Sequence, residues 1–169
     1  MMRVLILGAG GTGRDLVDWL PDLRAAGDAI EIVGFLDDDP AKQGRTVAGL
    51  PVLGPLSDAR RHADTMFLDA LGSPASYGTR AGLIGDLPDA RFLTLVHPLA
   101  RLSASAQVGA GTLLYPFVFV GPDTRIGRHV TVLSHGAINH DTIVGEFTIL
   151  ASHVALGGNV TIGASCYLG

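Results

Sequence analysis

Between Leu102 and Gly169 the chain repeats itself every six residues, a period that few folds accept. Leu102, Val108, Leu114, Val120, Ile126, Val132, Ile138, Val144, Leu150, Leu156, Ile162 and Leu168 are all aliphatic, with no insertion between them. The residue after each is most often glycine. The fourth after each is small or β-branched, from Ala106 and Thr112 to Val160 and Cys166. A helix repeats every 3.6 residues and a strand every two, so neither explains the series. A triangular coil does: one aliphatic side chain points inward per side, glycine relieves the corner, and a small residue fills the tight interior. Three sides close one coil, so residues 18 apart stack in adjacent coils about 4.8 Å apart. The segment makes a little under four coils of parallel β-helix and stops within a coil, which reads as a short C-terminus. An antiparallel sandwich with glycine turns would not keep so unbroken a series.

Residues 1–97 follow a different pattern. Val4-Leu5-Ile6-Leu7 is an apolar strand, followed by glycines and a helix expected from Arg14 to Leu20, stopped at Pro21. Ile30 to Leu36, Met66 to Leu71 and Phe92 to Val96 read as further strands, and Ser73 to Leu87 as mostly helical. Strands alternating with helices predict a small, parallel, Rossmann-like α/β sheet. The expected domains are therefore 1–97, the Rossmann-like unit, and 98–169, the β-helix, with the junction at His97-Pro98.

Gly8-x-Gly10-x-x-Gly13 lies between a strand and a helix, the setting in which glycines let backbone approach phosphate and a helix N-terminus offers free N–H groups. Asp37 and Asp38, at the end of the second strand, stand where an acid can bond ribose hydroxyls. A nicotinamide dinucleotide and the nucleotide of a sugar donor both fit this pattern. The glycines could also serve only a tight turn. The sheet is too small for two mononucleotide halves, which favours a single nucleotide.

These residues carry a family resemblance. Gly8-Ala9-Gly10-Gly11, Gly34-Phe35-Leu36-Asp37-Asp38-Asp39-Pro40, Leu71-Gly72 before Arg80, and hexapeptide coils with Asn139-His140-Asp141 resemble the bacterial sugar O- and N-acetyltransferases. That group includes sialic acid O-acetyltransferases and UDP-amino-sugar or perosamine N-acetyltransferases, and the resemblance spans the whole chain. It implies a left-handed β-helix, a homotrimer with active sites between neighbouring β-helices, and acetyl-CoA lying along the β-helix. It further implies a nucleotide-sugar held by the N-terminal domain through Gly10, Gly11, Thr12, Asp37, Asp38 and Gly72. Ile149 and Gly158 fall at its acetyl-CoA positions, with the Gly158 N–H a candidate donor to the thioester carbonyl. Two departures stand out. Relatives often carry a second histidine where this chain has Ile149, and amino-sugar relatives an asparagine where it has Leu133.

Of the six histidines, His140 lies two residues past the inward Ile138, so it projects outward beside Asp141. Acetyl transfer needs a base to take the proton of an attacking amine or hydroxyl. An imidazole, with its ordinary pKa of about 6.5, suits that task near neutrality, and an adjacent carboxylate stabilises the imidazolium. The resemblance gives His140 the role of base and Asp141 that of its partner. His62 reads as a solvated residue and His97 as structural. His135 and His153 are 18 apart and should stack, and His129 shares their place in the hexad on another side. Stacked histidines at a subunit interface could hold a metal in the manner of β-helical carbonic anhydrases. No metal is expected for acetyl transfer, so that reading stands as the lesser alternative.

The rest of the composition narrows the partners. The net charge of −4 argues against a general nucleic-acid binder. The single cysteine, Cys166, excludes an intramolecular disulfide and a cysteine zinc motif. No stretch reaches the roughly 18 apolar residues of a membrane span, and the short apolar start reads as a buried strand and not a signal peptide. A cytoplasmic acetyltransferase acting on a sugar is the expectation. A nucleotide-sugar-binding scaffold without catalysis is the alternative, favoured by the short C-terminus.

Overall fold

The computed structural model describes residues 1–74, 76–85, 87–88 and 91–169. They form two compact units: residues 1–71 with 82–93, and residues 72–81 with 94–169. Among the described residues no helix is long and apolar enough to cross a membrane.

The first unit is a five-stranded sheet, β3-β4-β2-β1-β5. Its strands are β1 (Met2–Leu7), β2 (Ile30–Leu36), β3 (Thr46–Val47), β4 (Leu50–Gly54) and β5 (Met66–Asp69). β1 runs parallel to β2 and β5, and β2 parallel to β4, while β3 is an antiparallel edge. Val4, Leu5, Ile6 and Leu7 are all buried, because a parallel central strand is covered on both faces. The chain leaves β1 to one side for β2 and later returns on the other side as β5. The C-terminal end of β1 is therefore the topological switch point, where open α/β sheets take their ligands.

Three local readings differ from the sequence expectation. The expected Arg14–Leu20 helix is two helices, α1 (Gly11–Asp18) and α2 (Leu20–Ala25). Pro21 does not end a helix; it sits in the first turn of α2, where its missing N–H has no intrahelical partner to lose. Within 73–87 the described helix is short: a 3₁₀ turn at Tyr77–Thr79 and α3 (Arg80–Ile84), interrupted by the helix-weakening Gly78, Gly82 and Gly85. Ala75 and Asp86 of that stretch lie outside the described residues. The expected strand 92–96 is divided. Phe92 bridges to Phe67 of β5, but Leu95–Val96 pairs with Leu113–Leu114 in the second unit.

That second unit is a left-handed parallel β-helix. Its first face stacks the pairs beginning at Arg101, Phe119, Ala137 and Ala155; its second, those at Gln107, Arg125, Ile143 and Thr161. Its third stacks those at Leu95, Leu113, Thr131, Ile149 and Tyr167. Every pairing is parallel and offset by 18 residues. The aliphatic series points inward: Leu114, Val120, Val132, Ile138 and Leu150 are fully buried.

The corners separate two roles that glycine often combines. Gly109, Gly127 and Gly145 follow the inward residue because a Cβ there would lie 2.4–2.7 Å from backbone nitrogen of the next coil. Two residues later the backbone turns left-handed, yet here the chain carries Phe117, Asp123, His129, His135, Asp141, Phe147 and His153, all with φ between 55° and 64°. The N–H of that residue bonds the turn of the coil before, as from Asp141 to the Pro122 carbonyl at 3.0 Å and from His153 to that of Ser134 at 3.2 Å. The corners thus form ladders of their own.

Candidate active site

His140 stands on the corner between the first and second faces. Ile138 points inward, the chain turns through Asn139 and His140, and Asp141 takes the left-handed position at φ 56°. That turn throws both side chains outward; His140 is 58% and Asp141 53% exposed. The His140 Nδ1 lies 2.8 Å from the Asp141 Oδ2. An ionised carboxylate only accepts, so this geometry favours the tautomer with its proton on Nδ1, which leaves the Nε2 lone pair free.

The next coil places Gly158 directly under this ring. A Cβ built on Gly158 would lie 2.5 Å from His140 Cε1 and 2.6 Å from Nε2. Only a glycine leaves the imidazole where it is. Around it, the Asn159 N–H bonds the His140 carbonyl at 3.0 Å, and the Thr142 hydroxyl donates to the Gly157 carbonyl at 2.9 Å. Asn139 Nδ2 donates to the Leu156 carbonyl at 2.7 Å. The Gly158 N–H has no hydrogen-bond partner among the described residues. The corner therefore brings together an imidazole, a carboxylate beside it and a backbone N–H without a partner among the described residues, group types that acyl transfer can use.

Ile149 and Gly72 meet one another, away from this corner. Ile149 lies on the third face, buried at 4% exposure. A Cβ on Gly72, whose φ is 109°, would lie 2.8 Å from Ile149 Cδ1 and 2.6 Å from Arg80 Cδ. Arg80 is fully buried in the same unit, its Nη2 3.5 Å from the Thr131 hydroxyl. Gly72 here closes a packed contact over the β-helix face, and Ile149 lies beneath it.

The glycine loop lies at the switch point of the first unit. Gly8 takes φ 101° and its N–H bonds the Leu36 carbonyl at 2.8 Å. Gly13 packs helix on strand: a Cβ there would sit 2.2 Å from the Gly8 carbonyl oxygen. Gly10 and Gly11 face open space. The first helical bond of α1 runs from the Arg14 N–H to the Gly10 carbonyl, so the N–H groups of Gly11, Thr12 and Gly13 precede the helical ladder and can meet an anion.

Asp37 supports this loop in a way the sequence reading missed. Asp37 Oδ2 accepts from the Ala9 N–H at 2.7 Å and from Lys42 Nζ at 3.0 Å, and its Oδ1 accepts from the Asp39 N–H at 2.9 Å. Burial alone would push the Asp37 carboxyl up. The two backbone donors and the Lys42 ammonium outweigh it and hold the group below the ordinary carboxylate value. Asp38 Oδ1 accepts from the Leu56 N–H at 2.8 Å. Asp37 thus pins the glycine loop to the end of β2.

The remaining histidines divide by exposure. His135 and His153 stack with ring centroids 4.9 Å apart and planes 2° apart, and Phe117 continues the stack below His135. His129 stacks on Phe147 but is fully buried. His97 is buried, with Nδ1 accepting from the Leu99 N–H at 3.2 Å. Among the described residues no three His, Cys, Asp or Glu side chains gather around a common metal position.

No protein-family model and no curated protein matches the sequence. Solved structures do, over nearly the full chain. A histidine-to-alanine variant of GDP-perosamine N-acetyltransferase from Caulobacter crescentus, in complex with CoA and GDP-perosamine, is 25% identical with TM-score 0.73. The match covers 99% of this chain and 85% of that one. The acetyltransferase domain of PglB from Neisseria gonorrhoeae FA1090, in complex with acetyl coenzyme A, is 22% identical with TM-score 0.68, covering 98% and 92%. WeeI from Acinetobacter baumannii AYE is 20% identical with TM-score 0.67, covering 100% and 95%. At the lower identities the likeness is one of fold.

Proposed function

We propose that this chain, which matches left-handed β-helix sugar N-acetyltransferases over nearly its full length, transfers acetyl from acetyl-CoA to an amino or hydroxyl group of a nucleotide-linked sugar. The carrying observation is the His140 corner: a base held by Asp141 directly over a glycine whose N–H is free. The acceptor bound to the perosamine enzyme, a GDP-linked amino-sugar, supports an amine as the nucleophile.

His140 Nε2 takes the proton of the acceptor amine as its nitrogen attacks the acetyl carbonyl carbon. The negative charge collecting on the carbonyl oxygen is met by the Gly158 N–H. The carbon–sulfur bond then breaks, the amide forms, and the proton passes from His140 to the departing CoA sulfur. Asp141 stabilises the imidazolium between the two transfers. In this reading the open N–H groups from Gly11 onward take the nucleotide phosphates, with Gly10 and Thr12 beside them. Asp37 positions the loop, and Asp38 offers its second oxygen to ribose. CoA lies along the β-helix, and the assembly is a homotrimer, as the family resemblance implies. Gly72, for the nucleotide-sugar, and Ile149, for acetyl-CoA, keep the roles the resemblance implies, with Gly72 packed against Ile149 on the third face.

Thiol release from acetyl-CoA, followed with a panel of UDP- and GDP-linked amino-sugars, tests this. His140→Ala should lower turnover by about 10²–10⁴, the range of a lost general base, while circular dichroism and oligomeric state stay as in the parent protein. Equal turnover in the variant would sink the assignment.

A further inference from the structure

Asn139 stands at a corner position where glycine is the commoner residue. The position after each inward aliphatic is glycine on every coil of the second face, at Gly109, Gly127, Gly145 and Gly163. On the first face it reads Ser103, Gly121, Asn139 and Gly157. The reason for glycine is crowding. A Cβ on Gly121 would lie 2.8 Å from the His140 nitrogen and 3.0 Å from the Asn139 carbonyl carbon of the next coil. The same repeat sets the Cβ of Asn139 against the Gly157-Gly158 peptide. Asn139 carries a side chain at this crowded position all the same.

Its side chain uses that approach. The Leu156 carbonyl receives the Asn139 main-chain N–H at 3.2 Å, as the ladder requires, and also Asn139 Nδ2 at 2.7 Å. The side-chain bond is the shorter of the two. The neighbouring groups are held as well: the Gly157 carbonyl by Thr142 and the Asn159 N–H by the His140 carbonyl. The Gly157-Gly158 segment lacks side chains to fix it, and glycine backbone is otherwise the freest. The hydrogen bonds on each side of it supply that order. Of these, only the Asn139 side-chain bond adds to what the coil already provides.

We infer that Asn139 is a positioning residue: by holding the Leu156 carbonyl it fixes the Gly157-Gly158 peptide so that the Gly158 N–H is aimed before acetyl-CoA arrives. This rests on the acetyl-transfer reading above and goes beyond it, since it assigns the preorganisation of the oxyanion donor to a side chain that touches neither substrate. A preorganised donor stabilises the transition state without reorganisation, and loss of one costs about 10²–10³ in rate. Loosening it should cost less than removing it.

The discriminating variant is Asn139→Gly, which restores the residue the corner favours and so leaves folding intact. Asn139→Ala is the second, in case glycine alters the turn. Both are measured as the full chain, with acetyl-CoA and the acceptor from the panel. The expected result for each is a fall in kcat of about ten-fold or more, with KM for both substrates and the shape of the pH profile of kcat/KM unchanged, and the melting temperature lowered by no more than the loss of one hydrogen bond accounts for. A merely structural role would lower the melting temperature and leave kcat per folded molecule alone. A disturbed His140 would shift the pH profile. Either pattern, or parental kcat in both variants, overturns the inference and leaves acetyl transfer standing. Absence of transfer by the parent chain across the whole panel overturns both.

Discussion

Thr112, Thr124, Thr142 and Thr148 are fully buried inside the coil, where a hydroxyl has no water to bond. Each donates to a carbonyl 15 residues on, at Gly127, Asn139, Gly157 and Gly163, over 2.8–3.1 Å. The hydroxyls of Thr112, Thr142 and Thr148 also accept from the N–H groups of Val130, Val160 and Cys166. Each of those three therefore bridges two coils through both of its hydrogen-bonding capacities. From sequence these positions show only that they are small and β-branched; the hydroxyl's work depends on what the next coil brings opposite. Thr112→Val keeps the shape and deletes the bonds, so it should cost about 1–3 kcal/mol, read from urea unfolding; a change within error would deny the bridges their weight. Asp37 gives a second prediction. Its folded pKa lies below the unfolded value, so it stabilises the native state above about pH 4 and loses that contribution as pH falls through the folded pKa. Asp37→Asn should cost about 1–2 kcal/mol at neutral pH, mostly through the Ala9 and Asp39 bonds, and should make the acid limb of the stability profile shallower. The exposed part of the Lys42 pair adds little. An unchanged acid limb would show that Asp37 does not clamp the loop.

At the scale of elements, the β-helix was legible because its period is carried by burial, which every coil repeats. The series even extends one hexad further than expected. Val96 lies six before Leu102 and pairs with Leu114, followed by Ala100 at the small position. Proline after His97 suggested a boundary there, although the repeat already ran through it. The α/β elements were harder to place: α1 and α2 are separated only at Trp19, and no side-chain cap or glycine marks the break. The site was legible to the extent that phase aims a side chain. It put His140 outward and His135 over His153, as found. It could not show Ile149 covered by Gly72 or Asp37 engaged with Ala9, because those contacts join segments far apart in the chain. The glycine loop illustrates the same limit, since spacing alone does not tell a packing glycine from a ligand glycine. Gly13→Ala drives a Cβ into the Gly8 carbonyl and should cost about 1–3 kcal/mol or more. Gly11→Ala meets nothing and improves helix propensity, so stability should hold or rise by up to about 1 kcal/mol, while nucleotide binding weakens. Calorimetric unfolding and titration of the two variants separate the roles. Equal binding by Gly11→Ala and the parent would remove Gly11 from the phosphate site.

For the molecule as a whole, the two units differ in how they are built and therefore in how a ligand should register in each. The first holds its glycine loop at the end of a sheet whose central strand, β1, has both neighbours parallel and four fully buried residues. The second draws its order from coils stacked one on another, with neighbouring coils as the principal contacts, the condition under which stability is a sum of local terms. A nucleotide that binds the loop stabilises the state in which the loop is formed, by about 2.7 kcal/mol at a hundred times its Kd. The amides that should slow in hydrogen exchange are those whose opening releases the loop: Gly8, bonded to Leu36, and Ala9, bonded to Asp37. Acetyl-CoA should act instead on coils around His140, slowing Asn139, Asp141 and Asn159, which bond the Leu156, Pro122 and His140 carbonyls. Exchange read by mass spectrometry, with a nucleoside diphosphate alone and CoA alone, resolves the two sets in one protein. If CoA slowed the loop amides and left the corner unchanged, the division of labour between the sheet and the β-helix would be wrong, and the His140 corner would lose its claim to the thioester.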